Sequence, residues 1–141
     1  MTELADTTAW SWSRRRACPE LRQAFDAALI EGELATCATV RLELLHSARN
    51  AVEFAEIRSE LEARPDCAIG EAQWDRALWV YERLSARGGA FHPSVKHPDL
   101  LIAAAAESAG ITLLHYDEDY DRVAAITGQP TRWLAPKRSL R

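Results

Sequence analysis

From Leu100 to Ala109 the chain reads Leu-Leu-Ile-Ala-Ala-Ala-Ala-Glu-Ser-Ala, a run with almost no polar face at helical spacing. The pattern predicts a helix packed on most of its sides. Pro98 suits the first helical position, where a missing N–H costs nothing, and Gly110 suits the left-handed stop past the last turn. Ile111 to Leu114 then forms a short apolar stretch after a turn signal. It predicts a buried central strand of a parallel sheet, which opens into Asp117 and Asp119.

The remaining elements follow from the same pattern. Thr2 to Asp6 is a short and rather polar strand. Ala9 to Arg16 is a turn or short helix whose Trp10 and Trp12 read as core rings. Pro19 starts a helix to Glu31 with Leu21, Ala24, Phe25, Ala28 and Leu29 on its buried stripe, and Gly32 ends it. Leu34 to Ala38 is a second strand, and Thr39 suits the N-cap of a helix from Val40 to Arg49. Counted from that cap, the reciprocal capping position falls on Leu42, so Glu43 stands one place too late to cap its own helix. Asn50 separates it from a helix at Val52 to Ala63. Arg64-Pro65-Asp66 is a turn, Cys67 to Ile69 a short strand, and Trp74, Ala77, Leu78, Tyr81 and Leu84 recur at helical spacing between Gly70 and Gly88. A loop runs from Gly88 to Lys96. Beyond the acidic loop come a helix at Tyr120 to Ile126, a turn at Gly128 to Pro130 and a last strand at Thr131 to Leu134. Strands and helices in alternation argue for a parallel sheet covered on both faces.

Composition narrows the class. The chain has 141 residues, 48% of them hydrophobic, which predicts one domain over residues 1–135 with a real core and a basic, mobile tail at 136–141. A formal net charge of −4 gives no global pull toward nucleic acid. Cys18, Cys37 and Cys67 are odd in number and lack zinc-type spacing, so they read as reduced thiols of a cytoplasmic protein. Neither a signal peptide nor a membrane span is expected.

The candidate chemistry lies in acids at element ends. Asp6 closes the first strand, Glu43 falls in the first helical turn after the second, Asp99 opens the late helix and Asp117 follows the next strand. An isolated Asp99 would also suit simple decoration of a helix N-terminus. Right-handed crossovers, however, put the carboxyl ends of parallel strands on one edge, where sites form in open α/β sheets. Carboxylates gathered there repel one another by about 4 kcal/mol per pair at 4 Å and an effective dielectric near 20. Protonation or a cation relieves such repulsion. Hard oxygen donors without histidine or thiolate select Mg²⁺ or Mn²⁺, a pairing suited to phosphodiester hydrolysis.

Asp6-Thr7-Thr8 after a strand, Glu43 in RLELLHSARN, HPDLLIAAAAESAG and TLLHYDEDYDRV together resemble the four signatures of the PIN domain, in particular VapC-type toxins of bacterial toxin–antitoxin pairs. The resemblance runs from about residue 4 to residue 135, and the adjacent last two signatures are its most specific part. It implies an α/β/α sandwich with a central parallel sheet of about five strands. It also implies a Mg²⁺- or Mn²⁺-dependent endoribonuclease that leaves a 5′-phosphate and a 3′-hydroxyl, a homodimer, and a small VapB-like antitoxin as inhibitor. By that likeness Asp6, Glu43, Asp99 and Asp117 are the catalytic acids, and Asp6, Asp99, Asp117 and Asp119 hold the metal. Thr7 is an accessory hydroxyl that orients Asp6 or a water. The chain departs from the family in its polar first strand and in Tyr116, which stands where a basic residue usually precedes the fourth acid.

RNA would be bound at the rim by Arg14, Arg15 and Arg16, with Lys137, Arg138 and Arg141 as weaker candidates. Lys96 and His97 stand just before Asp99, within reach of a phosphate, whereas His46 and His115 read as structural. Two other classes compete with the nuclease. One is a catalytically inert PIN-like module that binds RNA or protein, against which the complete set of acids argues. The other is a receiver-type signalling domain, which would want paired acids after the first strand and a lysine at a late strand end, where this chain has Asp6 alone and Lys96 in a loop.

Overall fold

The computed structural model describes residues 2–87 and 95–141. Four strands, β1 (Glu3–Ala5), β2 (Leu34–Ala35), β3 (Thr112–His115) and β4 (Thr131–Trp133), form one sheet in the order β2-β1-β3-β4, with every neighbouring pair parallel. Between β1 and β2 come α1 (Thr7–Ser13) and α2 (Pro19–Ile30). Between β2 and β3 come α3 (Ala38–His46), α4 (Ala51–Glu62), α5 (Glu71–Arg87) and α6 (His97–Ala109), and α7 (Asp119–Thr127) joins β3 to β4. The chain leaves β1 toward β2 on one side and leaves β3 toward β4 on the other. Right-handed crossovers therefore put α1 and α2 on one face of the sheet and α7, with α6 beside it, on the opposite face. The result is the three-layer α/β/α arrangement expected from the alternating pattern.

The apolar run from Leu100 to Ala106 is buried without interruption, so α6 is the inner helix of its layer. It ends at Gly110, whose φ of 69° is the left-handed conformation that a side chain would resist. Leu4, Leu113 and Leu114 fill the middle of the sheet, and Val123 and Tyr120 close the core from α7. Trp10 is buried edge-on against Phe25 at 4.9 Å, as expected of a core ring.

Two expectations change. Among the described residues the sheet has four strands, because Cys67 to Ile69 forms no fifth strand and only an isolated parallel bridge, Thr36 to Asp66, stands just before it. Residue 37 already caps α3, so β2 offers nothing further to pair with. The helix carrying Glu43 starts at Ala38 behind an extended Cys37, not behind Thr39, which moves Glu43 from the first turn to the second. The predicted loop at Gly88 to Lys96 lies, except for Val95 and Lys96, outside the described residues.

Residues 136–141 are docked. Leu140 N–H donates to the Tyr116 hydroxyl at 2.8 Å, and Lys137 Nζ pairs with Glu118 at 2.8 Å. No described helix is long and apolar enough to cross a membrane. Leu113 lies in the centre of the sheet with no exposed surface, whereas Ile30 is 85% exposed. Leu113→Ala is expected to lower unfolding free energy by about 2–5 kcal/mol in urea titrations. Ile30→Ala should stay within about 0.5 kcal/mol of the parent.

Candidate active site

In an open parallel sheet, a cleft forms where two adjacent strands send the chain in opposite directions. Here that point lies between β1 and β3. Asp6 leaves β1, its N–H bonded to Leu114 O across the gap at 3.0 Å. Its side chain caps α1: Oδ1 accepts Ala9 N–H at 2.9 Å, and the Thr8 hydroxyl faces both carboxylate oxygens at 2.7 and 2.9 Å. The same Thr8 oxygen accepts Tyr116 N–H at 2.8 Å, which ties the end of β1 to the loop after β3.

That loop carries Asp117. Its N–H donates to His115 Nδ1 at 3.1 Å, and its Oδ1 accepts Asp119 N–H at 2.9 Å, so the acid both opens α7 and is held by the strand before it. Asp99 arrives from α6, which runs antiparallel to β3 and so presents its first turn at the same sheet edge. Carboxylate oxygens of Asp99, Asp117 and Asp119 lie within 4.8 Å of one another. Asp6 stands behind them, almost without exposed surface, and Tyr120 joins the two layers of the site. Its fully buried hydroxyl donates to Asp99 Oδ1 at 3.2 Å and also faces Asp6.

Burial and like charge set the electrostatics. Burial pushes Asp6 up to about 6 against the hydrogen bonds from Ala9 and Thr8. Asp99 rises to about 7, first through burial and then through the charges of Asp117 and Asp6. Asp119 is raised by burial and by Asp117, an effect opposed by Arg122, which pairs with it. His115 is lowered by burial, in keeping with a neutral ring whose Nδ1 accepts.

The expected residues separate into groups. Asp99, Asp117 and Asp119 converge and Asp6 adjoins them. Glu43 reaches the edge from α3, where its Oε1 accepts the Thr7 hydroxyl at 2.7 Å. Thr7 thus orients Glu43, and the hydroxyl on Asp6 belongs to Thr8, which the sequence reading passed over. Tyr120 was also missed, although a tyrosine three residues before Val123 on the apolar stripe of α7 has to find a partner for its hydroxyl. Arg14 is drawn away from the rim, clamped by Asp26 and by Glu60, the latter at 2.7 Å. Arg15 stacks over Trp12 at 3.7 Å, and Arg16 is exposed.

A divalent cation fits the donor set. The three convergent carboxylates of Asp99, Asp117 and Asp119 offer hard oxygens only, and their 4.8 Å spread needs small side-chain rotations to meet Mg²⁺–oxygen distances of about 2.1 Å.

Because Asp6 and Asp99 bind protons more tightly folded than unfolded, their contribution to stability is complete below about pH 4 and is lost as pH rises through about 6 to 7. In chelator, the melting temperature is expected to fall by several degrees between pH 5 and pH 8. Millimolar Mg²⁺ or Mn²⁺ at pH 8 should recover it. Asp6→Asn, which keeps an oxygen for Ala9 N–H, should flatten the pH profile measured by thermal denaturation.

Comparison with known proteins agrees with the fold. Residues 4–126 match the PIN domain family model. The chain is 43% identical over 140 residues to Ribonuclease VapC18 of Mycobacterium tuberculosis, covering 99% of this chain and 100% of that protein. It is 37% identical to Ribonuclease VapC51 of the same organism, over 87% of this chain and 88% of that one. Among solved structures, DNA-bound VapBC from Salmonella typhimurium superposes with a TM-score of 0.74 at 14% identity, covering 96% of this chain and 100% of that chain, and shares its fold. With most of its length matched by the family model and its full length aligned to a VapC ribonuclease, the chain belongs to the PIN domain family.

Proposed function

We propose that the protein is a divalent-metal-dependent endoribonuclease toxin restrained by a VapB-like antitoxin. The observation that carries the reading is the convergence of Asp99, Asp117 and Asp119 at the switch point, with Asp6 buried behind them. The ribonuclease names of full-length relatives support the activity, and the VapBC complexes that share the fold support the partner.

Asp99, Asp117 and Asp119 would hold the ion, Mg²⁺ or Mn²⁺, with Asp6 completing the negative field. When bound, such an ion supplies a more acidic water and neutralises charge on the phosphate. Thr7 occupies Glu43 Oε1, which leaves Oε2 as the acceptor for a proton of the attacking water. Tyr120 keeps Asp6 and Asp99 in register through its shared hydroxyl. Thr8 does the same for Asp6 and the loop at Tyr116. Hydrolysis at this edge leaves a 5′-phosphate and a 3′-hydroxyl.

The reading extends to assembly and place. Trp74 and Leu78 stand exposed on α5, an apolar patch of the kind a homodimer buries. The chain acts in the cytoplasm, with Cys18, Cys37 and Cys67 reduced, as one domain over 1–135 with residues 136–141 laid against it.

Purified protein is expected to cut RNA in Mg²⁺ or Mn²⁺ and to stop in chelator. Asp99→Asn and Asp117→Asn should each lower kcat on the order of 10²–10³-fold, the scale for losing one electrostatic partner of the transition state. Calorimetric titration should show weaker ion binding by both variants. Equal cleavage by parent and variants, or no cleavage of a broad RNA panel with either ion, overturns the assignment and leaves a binding module.

A further inference from the structure

Several cations of the molecule are already paired, whereas Arg15, Arg16 and Lys96 are exposed and have no carboxylate partner among the described residues. Arg14 is neutralised by two carboxylates, Arg122 by Asp119 and Glu118, and Arg132 by Glu3. Segment 136–141 adds two more unpaired cations and lies against the residues that flank Asp117. Its Arg138 and Arg141 are exposed and have no carboxylate partner among the described residues. The segment is nevertheless held at two points, Leu140 and Lys137. Leu140 N–H holds the Tyr116 hydroxyl at 2.8 Å, Lys137 holds Glu118 at 2.8 Å, and Lys137 Nζ lies 5.9 Å from the centre of the Trp133 ring. Tyr116 and Glu118 are the chain neighbours of Asp117, and the Tyr116 ring is itself wedged between Trp12 at 5.2 Å and Trp133 at 5.5 Å.

We infer that residues 136–141 form a docked basic strap that holds the phosphodiester backbone of an RNA substrate beside the acidic site, with Arg138 and Arg141 as the phosphate contacts and Tyr116 as the tether. This rests on the endoribonuclease reading and says where its substrate lies. Charge complementarity is the argument for the occupant. The acidic edge repels a polyanion, and the strap supplies two uncompensated guanidinium groups at its border, on a scaffold that orders them in advance. Arginine suits this use because its planar fork pairs with phosphate oxygens. Ordering the strap before RNA arrives removes part of the entropic cost of binding.

The test compares the parent with Arg138→Gln/Arg141→Gln, with a variant lacking residues 136–141, and with Tyr116→Phe. Two substrates are used in Mn²⁺: a single-stranded RNA oligonucleotide and the small diester bis(p-nitrophenyl) phosphate. The double variant and the truncation are expected to raise KM for RNA about tenfold with kcat nearly unchanged. They should also make the slope of log affinity against log salt shallower by about 1.4, since each single-strand phosphate contact contributes about 0.7. Tyr116→Phe should give a smaller rise in KM, and turnover of the small diester should be the same for parent, double variant and truncation. An unchanged KM and salt slope for RNA in both the double variant and the truncation overturns the strap while leaving the nuclease in place, including where those variants instead weaken binding of an acidic protein partner. Failure of the parent to turn over either substrate overturns the nuclease reading and the strap with it.

Discussion

Placing several negative charges at one buried edge is the constraint on which the rest of this structure depends. Asp6 is almost wholly enclosed, and a carboxylate in that position would ordinarily be costly. It is tolerated because the start of α1 directs Ala9 N–H at it, Thr8 adds a hydroxyl and Tyr120 a phenol. Each of these groups also binds something else. Thr8 accepts from Tyr116 and Tyr120 reaches Asp99, so the network that makes Asp6 tolerable also fixes the distances among the other acids.

The parallel pairing of β1 with β3 is what lets this network close. Ala5 stands opposite Leu114, so Asp6 and the acidic loop emerge at the same level and diverge from there. The β2 edge contributes only two residues to the sheet, yet it delivers α3 and with it Glu43 to the same cleft. Two faces of the molecule therefore meet over a short stretch of strand, and the helices supply the bulk of the core.

Much of this was legible in the sequence, for reasons that differ by element. The helix at 97–109 announced itself because burial on all sides leaves an apolar run that no surface helix would carry. Asp117 was legible because a buried strand ending in acids has few other uses. The start of α3 was not, since Cys37 lacks a capping side chain and the helix begins just after the bridge residue Thr36 and an extended Cys37. Nor was the fate of Arg14, whose partners Asp26 and Glu60 lie 12 and 46 positions away and come within reach only in the folded chain. Charge in sequence says how many cations exist; pairing in three dimensions decides which of them remain available. Thr7 and Thr8 show the same limit at short range, because two adjacent hydroxyls on one helical turn face different acids and only the packing tells them apart.

Ala103 to Ala106 carry no functional group, yet they govern where Asp99 can stand. All four are buried at 5% exposure or less, so α6 meets its neighbours here with nothing larger than a methyl group of its own. A larger residue at any of them would lift the helix and carry its acidic first turn with it, because close-packed interiors transmit displacement instead of absorbing it. The tolerance of this protein to mutational drift is therefore set in part by its smallest side chains, and inheritance of the chemistry depends on residues that perform none.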